Sequence, residues 1–138
     1  TCRELGVTFV PFSPLARGLL TGTIRDPKDL EKADQRLGHP RFQPENMQKN
    51  LSLVSRIAEI GAAKGVSAAQ IALAWVLHQG DDLVPIPGAR KMGNLEANVA
   101  TTEIKLSPAE LADLSAAVPP EEVAGTRYGA AGMAMVNK

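Results

Sequence analysis

The chain has 138 residues with 15 basic and 15 acidic side chains, and apolar residues make up 44% of it. This length suffices for one domain with a hydrophobic core and is too short for two. The balanced charge disfavours a general nucleic-acid binder and a membrane-surface binder, because both need clustered positive charge.

Cysteine usage and hydropathy further restrict the kind of protein that this chain can be. Cys2 is the only cysteine, which excludes an intrachain disulfide and a cysteine-based metal cluster. No signal peptide and no apolar run near the roughly 20 residues of a membrane span are visible. We therefore predict a cytoplasmic protein without a metal site or membrane contact. The chain begins at Thr1 rather than Met, which suggests that it was entered in the middle or processed.

The N-terminal part predicts one strand and a long loop. Residues 1–5 resemble the last turn of a helix that ends at Gly6. Residues 7–10, VTFV, are typical of a buried strand because β-branched side chains dominate them. Residues 12–22 combine one proline with two glycines and show no periodicity, so they form a loop. Residues 23–44 are polar and weakly patterned, which indicates a functional or mobile loop rather than core.

Two helices should follow. Residues 45–64 are amphipathic, with one apolar stripe formed by Leu51, Val54, Ile57, Ala58 and Gly61. Ser67 and Gln70 have the spacing of a capping box, and the helix that they begin runs to about residue 79. That second helix is apolar almost all round, so it should be covered on more than one side.

The segment 83–98, LVPIPGARKMGNLEAN, combines a short strand, a Pro-Gly break and a short helix. Leu95 and Val99 are spaced i, i+4 and are expected on the inner side of that helix. Arg90 and Lys91 stand at its start, where free N–H groups and fixed positive charge can hold a phosphate. An ordinary turn with two solvated cations has the same pattern, so the residues alone leave both interpretations open.

The C-terminal part predicts one more helix and a tail. Ser107 and Glu110 form a second capping-box pattern, and the helix should place Leu111, Leu114 and Val118 inward. We expect residues 121–138, rich in glycine and alanine, to lack regular structure. Strands alternating with helices indicate parallel β/α units, but two strands cannot make a stable parallel sheet. The chain therefore looks like part of a larger architecture.

Several motifs resemble the aldo-keto reductase superfamily, in the order that the family has them. They are FSPLARGLLTG at 12–22, HPRFQ at 39–43 with Glu45-Asn46, SAAQIALAW at 67–75, VPIPGAR at 84–90, LEAN at 95–98 and LSPAEL at 106–111. The long insertion after the first strand resembles the long-loop bacterial and plant-like subgroup. The resemblance runs from about residue 1 to about residue 128.

This resemblance implies an α/β fold, the (β/α)8 TIM barrel. The chain would be a single partial domain, the last two β/α units plus the C-terminal helix and the tail 121–138, since a whole barrel needs about 250 residues. Family members reduce aldehydes and ketones by hydride transfer from NADPH. Their catalytic Tyr, Lys, Asp and His match no position here, so no catalytic residue is assigned and the chain alone should be inactive. The expected partners are a small carbonyl substrate and the missing N-terminal half of the barrel, or another chain.

The family's cofactor-binding positions match nine residues of this chain: Phe12, Ser13, Leu15, Gly18, Thr21, Gly88, Arg90, Lys91 and Asn98. By resemblance, Phe12 stacks on the nicotinamide, and the loop that follows it wraps the pyrophosphate. Arg90 and Lys91 read the 2′-phosphate, while Asn98 contacts the adenine. The chain departs from the family at Ala97, where Glu is usual, and at Asn94, where Arg is common. These changes weaken the adenine contacts and leave the choice of NADP over NAD to Arg90 and Lys91.

Other residues have simpler interpretations. His78 suits a helix end and His39 a loop, and neither is assigned as a ligand or base. Trp75 on an apolar helix is expected in the core. Arg127 and Tyr128 match a tail that approaches the active site in relatives, and a structural role is equally open.

Parts of the sequence also suggest two other functions. A truncated, non-catalytic barrel could serve as a structural or partner-binding unit, since its strand edges would be open. A helix-turn-helix around residues 65–72 is disfavoured, because the second helix is apolar and lacks Arg and Lys.

Overall fold

The computed structural model describes residues 1–136, so the last two residues of the predicted tail lie outside it. Within that range the α-helices are α1 (Pro44–Ala63), α2 (Ala68–Leu77), α3 (Met92–Ala100), α4 (Pro108–Ala117) and α5 (Ala130–Met133). The helices α1 to α4 lie where the sequence patterns predict them. Short 3-10 turns fill much of the rest of the chain.

The two predicted strands meet as a parallel pair. Phe9 bridges to Leu83 and Phe12 to Ile86, both in parallel register. The Phe9 N–H donates to the Asp82 carbonyl at 2.7 Å, and the Val84 N–H donates to the Phe9 carbonyl at 3.0 Å. Because the two segments run parallel, the loops that follow them start at the same edge of the pair.

The first segment is extended but not buried, which corrects the sequence prediction. Val7, Phe9 and Val10 are about half exposed, and Val84 and Ile86 on the second segment are equally open. A parallel strand is normally covered on both faces and paired on both edges. The described residues cover only part of this pair, so apolar side chains that the pattern places inside face solvent.

Leu95 and Val99 of α3 were also predicted to point inward, and this is wrong. Leu95 is 48% exposed and Val99 60% exposed. The residues that α3 turns toward α2 are Ala97 and Asn98, and the Ala97 carbonyl accepts from the Gln70 side chain at 3.3 Å. The apolar i, i+4 pair therefore lies on a second face of α3 that nothing in residues 1–136 covers.

The core lies between the helices and the loops. One cluster joins α1, α2 and α4 through buried side chains: Ile57, Ala68, Ile71, Ala74, Leu106 and Leu114. A second cluster joins the loops to α1: Leu19, Ile24, Phe42, Met47 and Val54. The loop 23–44 was predicted to stay outside the core, yet Phe42 is only 1% exposed. Val54, Ile57 and Gly61 of the predicted inner stripe of α1 are buried. Ala58 is exposed, and Met47, Asn50 and Leu53 complete the buried face.

Local sequence signals explain the helix boundaries. The Ser67 and Ser107 side chains each accept from the N–H three residues on, and Gln70 and Glu110 complete both capping boxes. Gly65, at φ +70°, follows the C-cap of α1, a position where a left-handed glycine commonly ends a helix. His78 caps the end of α2. Its Nδ1 lies 2.8 Å from the Ala74 carbonyl, and its Nε2 accepts from the Leu106 N–H at 3.2 Å.

The tail has more local structure than its composition predicts. Residues 120–122 form a 3-10 turn, and α5 follows at 130–133. The Asn50 side chain, 3% exposed, accepts from the Ala124 N–H at 2.9 Å and donates to the Ala124 carbonyl at 2.9 Å. It also donates to the Arg41 carbonyl at 3.2 Å. These bonds hold the start of the tail against α1 and the long loop, because a buried amide must satisfy its polar atoms.

Glu110 gives the fold a measurable dependence on acid. Hydrogen bonds from the Lys64 ammonium, at 2.5 Å, and from the Ser107 N–H and hydroxyl lower the pKa of Glu110 from 4.5 to about 2. A lowered pKa in the folded state stabilises the fold above the unfolded value and loses that contribution as pH falls from about 4.5 through 2. In thermal unfolding between pH 6 and pH 2, Glu110→Gln should lower the melting temperature at pH 6 and flatten its fall. Glu96→Gln, at an exposed glutamate, is the matched control, and a wild-type slope in Glu110→Gln would contradict the assignment.

Candidate cofactor-binding site

A cavity of about 570 Å³, called cavity A below, opens where the loops after the two strand segments meet α2 and α3. Its lining includes Ser13, Leu15, Arg17, Gly18, Thr21, Thr23, Gln70, Gly88, Asn94 and Asn98. Three stretches far apart in sequence thus converge on one space. Its volume falls within the range that small-molecule and cofactor sites have.

The loop 13–18 has an unusual backbone. Ser13, Ala16 and Arg17 have φ near +50° to +58°, and Gly18 has φ +94°. Non-glycine residues rarely adopt this left-handed region, and such strain clusters where a ligand must be held. The Thr21 hydroxyl donates to the Gly18 carbonyl at 2.6 Å, and the Arg17 N–H donates to the Ser13 hydroxyl at 3.3 Å. These bonds fix a tight loop that turns polar groups and peptide units toward cavity A.

The second strand segment leads to the opposite wall. A Cβ built on Gly88 meets no atom within 4 Å, so there is open space beside this backbone. Lys91 is the N-cap residue of α3, and its side chain makes no hydrogen bond to the N–H groups of the first turn. The first N–H groups of a helix are suited to an anion when no side chain caps them. Arg90 and Lys91 are exposed beside that end, and none of the salt bridges within residues 1–136 involves them.

The structure brings six of the nine predicted cofactor residues to cavity A. These are Ser13, Leu15, Gly18, Thr21, Gly88 and Asn98. Arg90 lines a neighbouring cavity instead, and Lys91 lines neither of the two. Phe12 bridges to Ile86 at the head of the loop and is 64% exposed, outside the lining of cavity A. An exposed aromatic face next to a cofactor-sized cavity is compatible with stacking.

Sequence reasoning missed Gln70 as a site residue. Its side chain accepts from the Ser67 N–H at 3.1 Å and donates to the Ala97 carbonyl, so it ties the start of α2 to α3. The capping box revealed the helix start but not that this turn lines the cavity. Thr23, Asn94 and Ala97 were likewise not assigned, although Asn94 and Ala97 were singled out as departures from the family pattern.

Of the remaining candidates, Trp75 is half-buried rather than fully enclosed, and its Nε1 donates to the Ser115 hydroxyl at 3.0 Å. Among residues 1–136, no group of three or more His, Cys, Asp or Glu could hold a metal ion. In the same range no single helix is long and apolar enough to cross a membrane. Only α1 and α2 together, bent by 86°, reach the length and composition.

The chemistry of cavity A fits a phosphorylated cofactor. Hydroxyl groups at Ser13 and Thr21, amides at Asn94 and Asn98 and the Arg17 guanidinium surround it, and no carboxylate lines it. Neutral donors and positive charge without an opposing anion suit phosphate oxygens. A ligand cavity at the carboxyl ends of parallel strands is typical of β/α proteins, both barrels and open doubly wound sheets.

The chain belongs to the aldo/keto reductase family, whose model matches residues 1–119. It is 43% identical over 127 residues to the aldo-keto reductase yakc [NADP(+)] of Schizosaccharomyces pombe and 44% identical over 127 residues to the probable aldo-keto reductase 1 of Glycine max. In both cases the match covers 92% of this chain but only 37% and 36% of the relative. The chain thus spans little more than a third of the curated relatives that it matches.

Comparison with solved structures also finds proteins of this family. The glycerol dehydrogenase AKR11B4 from Gluconobacter oxydans superposes with a TM-score of 0.74 at 28% identity, covering 86% of this chain and 37% of the other. The thermostable aldo-keto reductase Tm1743, in complex with the inhibitor epalrestat, gives 0.55 at 29% identity, covering 85% and 32%. These neighbours are TIM barrels, so the chain is part of a barrel, and its open strand pair follows from that.

Proposed function

We propose that this chain is the cofactor-binding C-terminal part of an NADP-dependent reductase of aldehydes and ketones. The observation that carries the proposal is cavity A, because residues from three separate stretches of sequence supply its hydroxyl, amide and guanidinium donors. The name of the fission-yeast relative specifies NADP(+), which supports the choice of cofactor. Bound there, the cofactor supplies a hydride for the carbonyl carbon.

The chain's own residues would bind and orient that cofactor. The loop 13–21 would surround the pyrophosphate, and Gly88 would let the backbone approach it closely. Arg90 and Lys91 would pair with the 2′-phosphate, since a guanidinium fork and an ammonium both suit a dianion. Asn98 would contact the adenine and Phe12 the nicotinamide. The proton for the carbonyl oxygen would come from the part of the barrel that precedes these two units.

A fusion tests the proposal directly. The N-terminal portion of the fission-yeast relative would be joined ahead of Thr1 to complete the barrel. We expect the fused protein to bind NADPH, seen as a change in the cofactor's fluorescence, and to oxidise it with benzaldehyde. The same N-terminal portion alone is the control and should do neither. A fused protein that is folded by circular dichroism yet does not bind NADPH would refute the proposal.

A non-catalytic, partner-binding role is the second candidate, because the strand pair leaves Val7, Phe9 and Ile86 about half exposed. Mass measurement of the purified chain distinguishes the two roles. A stable monomer that binds NADPH would argue against a need for partners, whereas self-association without NADPH binding would favour the second role. A cytoplasmic location stays a prediction.

A further inference from the structure

A second cavity of about 630 Å³, called cavity B, lies next to cavity A. It is lined by Arg17, Asp34, Gln35, Arg36, His39 and Arg90. Arg17 lines both cavities, so a ligand in one lies close to a ligand in the other. The fold thus places a second polar space beside the cofactor cavity.

Asp34, the one carboxylate in the lining of cavity B, is already paired. Arg36 donates to it from Nε at 2.9 Å and from a terminal nitrogen at 2.6 Å, and these bonds lower the pKa of Asp34 to about 2. The other terminal nitrogen of Arg36 donates to the Arg17 carbonyl at 3.0 Å. Asp34 and Arg36 therefore neutralise each other, and Asp34 is not free to compensate further cations.

Of three other arginines in this region, Arg17 lines cavity B, while Arg41 and Arg127 lie near Arg17 outside its lining. Burial, followed by the charges of Arg127 and Arg17, lowers the pKa of the Arg41 guanidinium. Within residues 1–136 no salt bridge involves Arg17, Arg41 or Arg127. Arg17 and Arg41 are half-buried and Arg127 is exposed, and like charges drawn partly out of water are stabilised by a compensating anion. This arrangement has the electrostatics of an anion site.

His39 adds an unsatisfied polar group to the same place. Both of its ring nitrogens are buried and have no hydrogen-bond partner among the described residues. Burial and then the charge of Arg17 lower the pKa of His39, whereas the nearby Arg127 backbone raises it. The ring sits edge-on to Phe42 at 6.0 Å, so packing fixes its orientation. A buried polar side chain without a partner calls for one, and a neutral imidazole can donate one hydrogen bond.

The tail is fixed at this point as well. The Arg17 guanidinium lies 5.5 Å from the centre of the Tyr128 ring, a cation–π contact. The Arg41 Nε makes a long contact of 3.5 Å to the Gly125 carbonyl, and Asn50 holds Ala124 next to it. Contacts to Gly125 and to Tyr128 therefore flank Arg127, whose own side chain is exposed. Arg17, His39, Arg41 and Arg127 are called the arginine cluster below.

We infer that Arg17, His39, Arg41 and Arg127 form a second anion site, which binds a carboxylate or phosphate group carried by the carbonyl substrate. This inference rests on the proposed function, because it names the substrate class of the same reductase. Cavity A already offers its own donors to the cofactor, and Arg41 and Arg127 are not in its lining. Arg90, although it lines cavity B, is left to the 2′-phosphate. The preferred substrates are therefore aldehydes or ketones with an acidic group.

A matched pair of substrates tests the inference in the fused protein. We expect kcat/KM for 4-carboxybenzaldehyde to exceed that for 4-methylbenzaldehyde at least tenfold. In the double variant Arg41→Gln/Arg127→Gln this preference should disappear, mainly through a higher KM for the acid. Arg25→Gln removes an exposed arginine of the same long loop outside the cluster and should retain the preference. Equal kcat/KM for both aldehydes in the unchanged fusion would overturn the inference.

The NADPH affinity of the double variant shows whether the cluster binds a phosphate of the cofactor or an acidic group of the substrate. If the double variant lowers NADPH affinity more than tenfold, the cluster binds a cofactor phosphate, and the assignment to the substrate is wrong. An NADPH affinity within twofold of the unchanged fusion, with the substrate preference lost, supports it.

A separate measurement on the chain itself does not depend on catalysis. The chain has two histidines, so NMR can follow the ring protons of each while benzoate is added. We expect benzoate to shift the His39 signal and leave the His78 signal unchanged, and the double variant should abolish the shift. No shift at His39 would overturn the anion site even where NADPH binds. Failure of the fusion to bind NADPH, with the His39 shift present, would refute the proposed function but not the anion site.

Discussion

Replacing Arg90 by glutamate in the fused protein is expected to weaken NADPH binding about a hundredfold. A charge-assisted hydrogen bond to phosphate is worth about 1.5–3 kcal/mol, and a carboxylate at the same place adds repulsion of the dianion, so a total of about 3 kcal/mol is expected. The dissociation constants of NADPH and NADH, measured by cofactor fluorescence, check this. NADH lacks the 2′-phosphate, so its affinity should change less than threefold.

The control for this prediction is Arg25→Glu, the same charge reversal at an exposed arginine that does not line cavity A. It should leave both affinities within twofold. Equal loss of NADPH and NADH in Arg90→Glu would show that Arg90 does not read the 2′-phosphate. A similar loss of NADPH affinity in Arg90→Glu and Arg25→Glu would show that the effect comes from the overall electrostatic potential of the protein and not from Arg90 in particular.

Replacing Gly125 by alanine is expected to lower the free energy of unfolding by about 2–5 kcal/mol. Gly125 has φ +81°, where an L-residue costs about 1–2 kcal/mol. A Cβ there would also lie 2.9 Å from the carbonyl carbon and oxygen of Pro40. Backbone atoms cannot yield as a side chain can, and overpacking costs about 1–3 kcal/mol more. Denaturant unfolding of the chain checks the value.

Gly129→Ala is the matched control. Gly129 lies in the same tail, has no positive φ, and its Cβ would meet no atom within 4 Å. We expect a change below about 0.5 kcal/mol, as for a surface substitution. If Gly125→Ala proves equally mild, the close approach of the tail to the long loop is not part of the stable fold.

Hydrogen exchange can locate the effect of Gly125→Ala. The Ala124 N–H, which donates to Asn50, should exchange faster in this variant than in the unchanged chain. The N–H groups in the middle of α2 should lose protection only as far as global stability falls. Slow exchange at Ala124 would show that the tail adapts without leaving α1.

Local signals predicted the helices well. Ser67 with Gln70 and Ser107 with Glu110 bring their capping atoms together within a few residues, so sequence spacing alone determines the geometry. Pro44 and Gly65 bracket α1 for equally local reasons, namely a fixed φ and a tolerated positive φ. The parallel pairing of the two strand segments followed from the alternation of strand and helix.

Burial was predicted less well, because it depends on what surrounds a residue and not on the pattern that carries it. Val7 and Phe9 have the composition of a buried strand, yet the described chain supplies only part of their surroundings. Leu95 and Val99 fail for the same reason. Phe42 fails in the opposite direction. A polar loop was expected to stay outside the core, but the buried side chains of Ile24 and Phe42 anchor it in the core.

From the residues alone, phosphate binding at 83–98 was one of two open interpretations, and the loop 12–22 was assigned only through the family resemblance. The loop 12–22 and the segment 83–98 carry motifs, and cavity A contains residues of both. Gln70 was missed because its capping role gave no indication of the second surface that it presents. The arginine cluster could not be predicted at all. Arg17, Arg41 and Arg127 are far apart in sequence, and contacts such as those of Asn50 with Ala124 and of Arg41 with Gly125 bring the tail close to the loop.

The open strand pair has a calorimetric consequence. Joining this chain to the remainder of a barrel would remove Phe9, Val84 and Ile86 from water, and apolar area lost to solvent carries a negative heat-capacity change. The enthalpy of that assembly, measured by titration calorimetry at several temperatures, should therefore become steadily more exothermic as the temperature rises. Cooling would weaken the hydrophobic association of the two parts, so a barrel assembled from them would be sensitive to cold.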